Sequence, residues 1–207
     1  RTNEFQTYIY MITQDTSGMM SENIILIDAE YVDNVAFNLT VNFERMLGRR
    51  IPKADLANWL DYIALDGGLE PMEEQSIQVV FIHDSKNTGL DNFSPSDYKK
   101  EINGMAFKDN IGEFAMEAYP VEQGLTNKED FFRDILDIAI NSEKVKNIMV
   151  IPDSETYGKS VCDMIKKSKK SSTIFSMEPL MGGGFNQQIL GYSLTCALGV
   201  RSDEFVK

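Results

Sequence analysis

Cysteine and histidine are nearly missing from this chain. Two cysteines, Cys162 and Cys196, and one histidine, His83, are spread over 207 residues. Two cysteines make no disulfide framework and fit a reducing compartment. The expectation is therefore a cytoplasmic protein with two inert core thiols. A zinc centre lacks its ligands, because there is no Cys-x-x-Cys pair and no second histidine. Basic excess is missing too: 20 Lys and Arg stand against 32 Asp and Glu, a net charge of −12. That argues against tight non-specific nucleic-acid binding, which depends on surplus cationic side chains. It leaves room for a small basic patch, or for a metal ion that supplies positive charge locally. No run approaches the roughly 18 apolar residues of a membrane span, so no membrane partner is expected. Internal repeats and a convincing domain boundary are absent as well.

What is present describes a globular domain. Hydrophobic content is 43% and charged content 25%, and the length suits one domain with a full core. Residues 1–19 are polar and carry no helical period. Met20-Ser21-Glu22 then leads directly into the first apolar run. We read 1–19 as an upstream extension, with an edge strand open to residues 7–12, and 20–207 as a single domain ending in a helix.

The chain is organised around Asn23-Ile24-Ile25-Leu26-Ile27-Asp28-Ala29-Glu30. A short apolar run bounded by polar residues reads as a strand buried on both faces, as in a parallel sheet. Asp33-Asn34 reads as the cap of a following helix, with Val35, Leu39, Phe43, Met46 and Leu47 at helical spacing. Pro52 opens another helix, with Leu56, Trp59, Leu60 and Ile63 inward. Further strands are expected at 77–82, 114–121, 147–151 and 173–177. Helices are expected at 127–141, after 155, and at 185–198. The polar stretch 85–110 is long for a compact domain, and such loops are usually functional or mobile. Alternating strands and helices imply an α/β, three-layer, Rossmann-like domain with a mostly parallel five-stranded sheet.

Four of these strands end on acids: Asp28 with Glu30, Asp84, Asp153 with Glu155, and Glu178. Parallel strands share a direction, so these ends can converge where open α/β sheets bind ligands. Clustered carboxylates repel unless a cation lies between them, and hard oxygen donors suit Mg²⁺ or Mn²⁺. The structural alternative is that loops are polar and Asp caps helices. His83-Asp84 could form an acid/base pair, but neighbours on a strand point to opposite faces. The lysines of 166–170 complement a helix C-terminus without any function. Gly182-Gly183-Gly184 lacks the Gly-Lys-Ser/Thr ending of a P-loop and reads as a hinge.

The order of elements and three motifs resemble the NYN group of PIN-like metal-dependent ribonucleases. Ile27-Asp28-Ala29-Glu30-Tyr31 is similar to that family's first-strand ending. Lys128-Glu129-Asp130-Phe131, with Asp134 one turn on, is similar to its helix-opening motif. Asp153-Ser154-Glu155-Thr156-Tyr157 is similar to the ending of its fourth strand. The resemblance implies that Asp28, Asp130 and Asp153 hold Mg²⁺ or Mn²⁺. It implies that Glu155 orients the attacking water, that Asp134 is secondary, and that RNA is the substrate. The chain departs from the pattern at Tyr31, where the family has Asn, at Glu155, where it has Asp, and at Pro152, where it has a small residue. Those departures and the acidic charge imply a second reading: an inactive PIN-like fold that binds a protein partner or forms a homodimer. A haloacid dehalogenase-like phosphatase would need an Asp two positions after its nucleophile, and Glu30 stands there instead. The first strand with its two helices and the Gly-rich tail also resemble a small bacterial family of unknown function.

Overall fold

The computed structural model describes residues 20–206. The readings for residues 1–19, including the edge strand at 7–12, lie outside the described residues. The elements run β1 (Asn23–Asp28), α1 (Ala29–Leu47), β2 (Ala54–Asp55), α2 (Leu56–Asp66), β3 (Ser76–Asp84) and β4 (Phe93–Ser94). They continue with a π-helical turn (Tyr98–Ile102), β5 (Ala106–Lys108), β6 (Glu113–Val121), α3 (Lys128–Asn141) and β7 (Asn147–Ile151). The last are α4 (Ser154–Lys167), β8 (Ser171–Ser176), β9 (Asn186–Ile189), α5 (Leu190–Ala197) and a 3₁₀ turn (Ser202–Phe205).

The central sheet has seven strands in the order β5-β6-β3-β1-β7-β8-β9, where five were expected. Every pairing in it is parallel except that of β5 with β6. The two unforeseen strands are the edges. β5 has three residues, and β9 reads Asn-Gln-Gln-Ile, so neither carries the apolar signature of a buried strand. β9 also takes the place of the start of the expected 185–198 helix, which shrinks to Leu190–Ala197. β2 and β4 pair separately, away from the main sheet.

Alternation along each strand builds two cores. Ile25, Ile27, Val79, Phe81 and Ile151 face a layer of α1, α2 and α5, with Trp59 fully buried among them. Ile24, Leu26, Val80, Ile82 and Val150 face α3 and α4, against Phe131, Phe132, Leu136 and Val161. The architecture is thus helix, mostly parallel sheet, helix. One thiol departs from the expected burial: Cys162 is in the core, but Cys196 is exposed on α5. Among the described residues, no helix is long and apolar enough to cross a membrane.

β1 lies at the centre, between β3 and β7. From it the chain builds outward to β3 and β6, then crosses back through α3 to β7, β8 and β9. The direction of winding therefore reverses at β1 and β7. In open α/β sheets the crevice beyond the carboxyl ends of such strands is where ligands bind.

Candidate functional site at the carboxyl ends of β1 and β7

Asp28 has two structural tasks at once. It is the last residue of β1, and its carboxylate accepts from Tyr31 N at 3.1 Å, so it also caps α1. The cap expected at Asp33-Asn34 is corrected accordingly: those residues lie within the helix, and Glu30 sits in its first turn. Asp33 instead accepts from the backbone N–H groups of Asp91 and Asn92, holding the 85–103 loop down.

Asp28 faces the α3–α4 layer and is 0% exposed. A buried carboxylate must be paired or it neutralises itself. Lys128, the first residue of α3, places Nζ 2.8 Å from Asp28 Oδ1 and 2.9 Å from Glu30 Oε2. The Tyr157 hydroxyl donates to Asp28 Oδ2 at 2.5 Å. Tyr157 reaches it because α4 is broken there, with φ −135° and ψ 17° inside the helix. Glu30 Oε1 accepts from Asp84 N at 2.6 Å, which ties the centre to the end of β3. Burial pushes the Asp28 carboxyl above its ordinary value, and Lys128 followed by Tyr157 pulls it partway back. Burial works against the Lys128 charge, but Asp28 and Glu30 outweigh it and hold the ammonium above its ordinary value.

Asn127 fixes the origin of that lysine. Its side-chain oxygen accepts from Asp130 N at 2.8 Å, capping α3 one residue before Lys128. We expect Asn127→Ala to cost about 1 kcal/mol of stability in urea unfolding, as lost caps do.

The remaining carboxylates divide between two places. Asp153 lies two residues beyond β7 and caps α4, its oxygens taken by Thr156 N and the Thr156 hydroxyl. Asp153 and Glu155 line a cavity of about 220 Å³ with Glu30, Tyr31, Asn34 and Lys128, at the switch point of the sheet. Asp130 is not in it. Asp130 is exposed, accepts from Asn127 Nδ2 at 2.8 Å, and lines a separate groove between α3 and α4 with Asp134 and Asp137. Burial, then the Asp130 charge, raises the Asp134 carboxyl. Among the described residues, no three His, Cys, Asp or Glu side chains are placed to hold a metal ion. The donor set at Asp28 does not fit one either, since both its oxygens already accept from Lys128 and Tyr157.

His83 and Asp84 point apart, as strand alternation requires. The imidazole stacks on Tyr98, with ring centroids 3.9 Å apart, and burial pushes it below its ordinary value. The Asp84 carboxylate accepts from Lys86 N and Gln123. In the lysine run, Lys170 Nζ donates to the carbonyls of Ser142 and Val145, at 2.6 Å each, and so acts as a pin.

The profile of a family of unknown function matches residues 17–205. The chain belongs to the DUF6621 family. No curated protein matches it, and no solved structure does. In this DUF6621 member, sequence reasoning assigned no role to Lys128 or Tyr157, the two residues that close on Asp28. The available signal was Lys128 itself: a lysine opening a helix, where the macrodipole disfavours a cation, needs an anion nearby to explain it.

Proposed function

We propose that this chain is a non-catalytic, protein-binding module on a PIN-like sheet, whose strand-end acidic centre is neutralised from within by a lysine. The observation that carries this reading is the position of Lys128, with Nζ within hydrogen-bond distance of both Asp28 and Glu30. An ammonium there supplies the charge that a divalent cation would supply between carboxylates. A side chain cannot exchange with solvent or activate water as a metal ion can. The binding role is supported by α1, whose residues 37–47 include none that is buried. Phe37 is 51% exposed and Val41, one turn on along the same face, 46%; exposed apolar side chains that share a helix face are a common partner surface.

A second reading, metal-dependent RNA hydrolysis, is favoured by the grouping of Glu30, Asp153 and Glu155 around one cavity at the switch point. It requires Lys128 to withdraw and Asp130 to turn away from its groove, after which Asp28, Asp130 and Asp153 would hold Mg²⁺ or Mn²⁺. Calorimetric titration with Mn²⁺ separates the two. On the first reading the native chain gives no binding heat up to about 1 mM, weaker than the weak end of ordinary recognition. Micromolar binding that Asp153→Asn abolishes would overturn it in favour of the hydrolase.

A further inference from the structure

A second cavity, of about 330 Å³, lies beyond the carboxyl ends of β3 and β6. This is within the size range of small-molecule sites. It lies on the α1–α2 face of the sheet, since His83 in its wall follows Val79 and Phe81 in alternation. The Asp28 centre faces the other way, and no function proposed above uses this space.

Its roof is the long polar segment noted in the sequence. That segment is ordered by its own hydrogen bonds. Tyr98 N donates to Thr88 O at 3.0 Å, and Leu90 N donates to Ser96 O at 3.0 Å. The Ser96 hydroxyl donates to Leu90 O at 2.7 Å. The segment contains the π-helical turn, capped by Asp97.

The lining is divided by chemistry. One wall is apolar, made of the Tyr98 ring stacked on His83, with Ala118 and Pro120. Lys99 and Lys100 stand at the π-turn, and among the described residues neither forms an ion pair. Of the two carboxylates in the lining, Asp97 already accepts from Lys99 N and Lys100 N as the cap of the turn. Glu122 remains, and a carboxylate accepts well from sugar hydroxyls. The Tyr98 ring itself is 2% exposed, and its hydroxyl has no hydrogen-bond partner among the described residues.

We propose that this cavity binds a small phosphorylated sugar or nucleotide, its phosphate at Lys99 and Lys100 and its organic body against Pro120. The cations select the anion. The apolar wall and Glu122 select the body over free phosphate.

His83 is the only histidine in the chain, so its imidazole proton resonance is an unambiguous reporter inside the cavity. The test is an NMR titration of the full chain with AMP, ribose 5-phosphate and inorganic phosphate at constant ionic strength. The wild type is compared with Lys99→Ala/Lys100→Ala, whose changes are at exposed positions and leave the fold in place. We expect AMP or ribose 5-phosphate to move the His83 resonance saturably, with a midpoint below about 1 mM. The midpoint should weaken at least about tenfold in the double variant, as loss of charge-assisted contacts to phosphate does. No saturable movement with any of the three in the wild type would overturn the proposal. So would movement of the same midpoint in the double variant. Saturation by inorganic phosphate as tight as that by AMP would also overturn it, since the cavity would then recognise no organic body.

Discussion

Replacing Lys128 by Met should lower the unfolding free energy by about 3 kcal/mol at pH 8, the low end of what breaking a buried ion pair costs. The low end applies because the lysine side chain keeps 27% of its exposure, while the Asp28 side chain has none. The methionine keeps the apolar stem, so the loss is electrostatic: a fully buried carboxylate is left with Tyr157 and a backbone N–H alone. The pH dependence follows from the direction of the Asp28 shift. Its carboxyl already lies above the ordinary value with the lysine present, and removal of the cation raises it further. The folded variant then binds a proton more readily than the unfolded chain, so its stability falls as pH rises through that window. The gap between variant and wild type should therefore be small near pH 4 and largest in mild alkali. Asp28→Asn/Lys128→Met should recover more than half of the loss, since no buried charge remains in the double variant. Urea unfolding of the four chains at two pH values measures all of this. Equal losses at pH 4 and pH 8 would show that Lys128 acts through packing and not through charge.

Asp61 on α2 should respond in the opposite direction: Asp61→Asn is expected to stabilise the fold by about 2 kcal/mol at pH 8. Its Oδ1 is buried without a partner among the described residues. Burial, reinforced by a carboxyl–carboxylate contact with Asp109, pushes its pKa up to about 7. Asp109 cannot yield, because its Oδ1 already accepts from Ile111 N and Gly112 N. Below about pH 4 both folded and unfolded chains hold the Asp61 proton, and it costs nothing. Between pH 4 and 7 the unfolded chain releases it first, so stability is lost progressively across that interval and the loss levels off above it. The full shift would correspond to about 4 kcal/mol; partial exposure of Asp61 to solvent reduces the expected effect to about half of that. The asparagine removes the proton and with it the dependence. Thermal unfolding at pH 4.5 and pH 8 should show the variant gaining on the wild type only at the higher value.

The central elements were legible because their residues carry strong, short-range signals. β7 occupies 147–151, as its apolar run implied, and α3 begins after Asn127 with Phe131, Phe132, Ile135, Leu136 and Ala139 all buried. The edges were not legible, because Asn186–Ile189 is polar and pairs only through its backbone. The start of α1 was misplaced for a related reason. Asp33-Asn34 has capping chemistry, but Asp28 reaches Tyr31 N first, directly from the end of a strand, and a helix starts at the earliest cap that the backbone can use. At the site, Asp28, Glu30, Asp153 and Glu155 all lie at the carboxyl ends of β1 and β7, where parallel strands had to deliver them. Asp130 could not be placed from sequence, because a helix can turn its first-turn acids toward the site or toward a groove, and the choice depends on which residue the neighbouring carboxylates accept. They accept Lys128, which lies about 200° round the helix from Asp130.

The central position of β1 also sets the order in which the molecule can be completed. Its first neighbour, β3, is made soon after it, but its second neighbour, β7, is joined to it by the contact of Asn147 with Asn23, 124 positions apart. At ordinary rates of chain elongation that interval lasts roughly 6–25 s. Throughout it, one edge of β1, with its run Ile24, Ile25, Leu26 and Ile27, is unpaired. Parallel sheets with such distant partners form late and are prone to aggregate before closure. The centre of the sheet can therefore close only after residue 151 has been made.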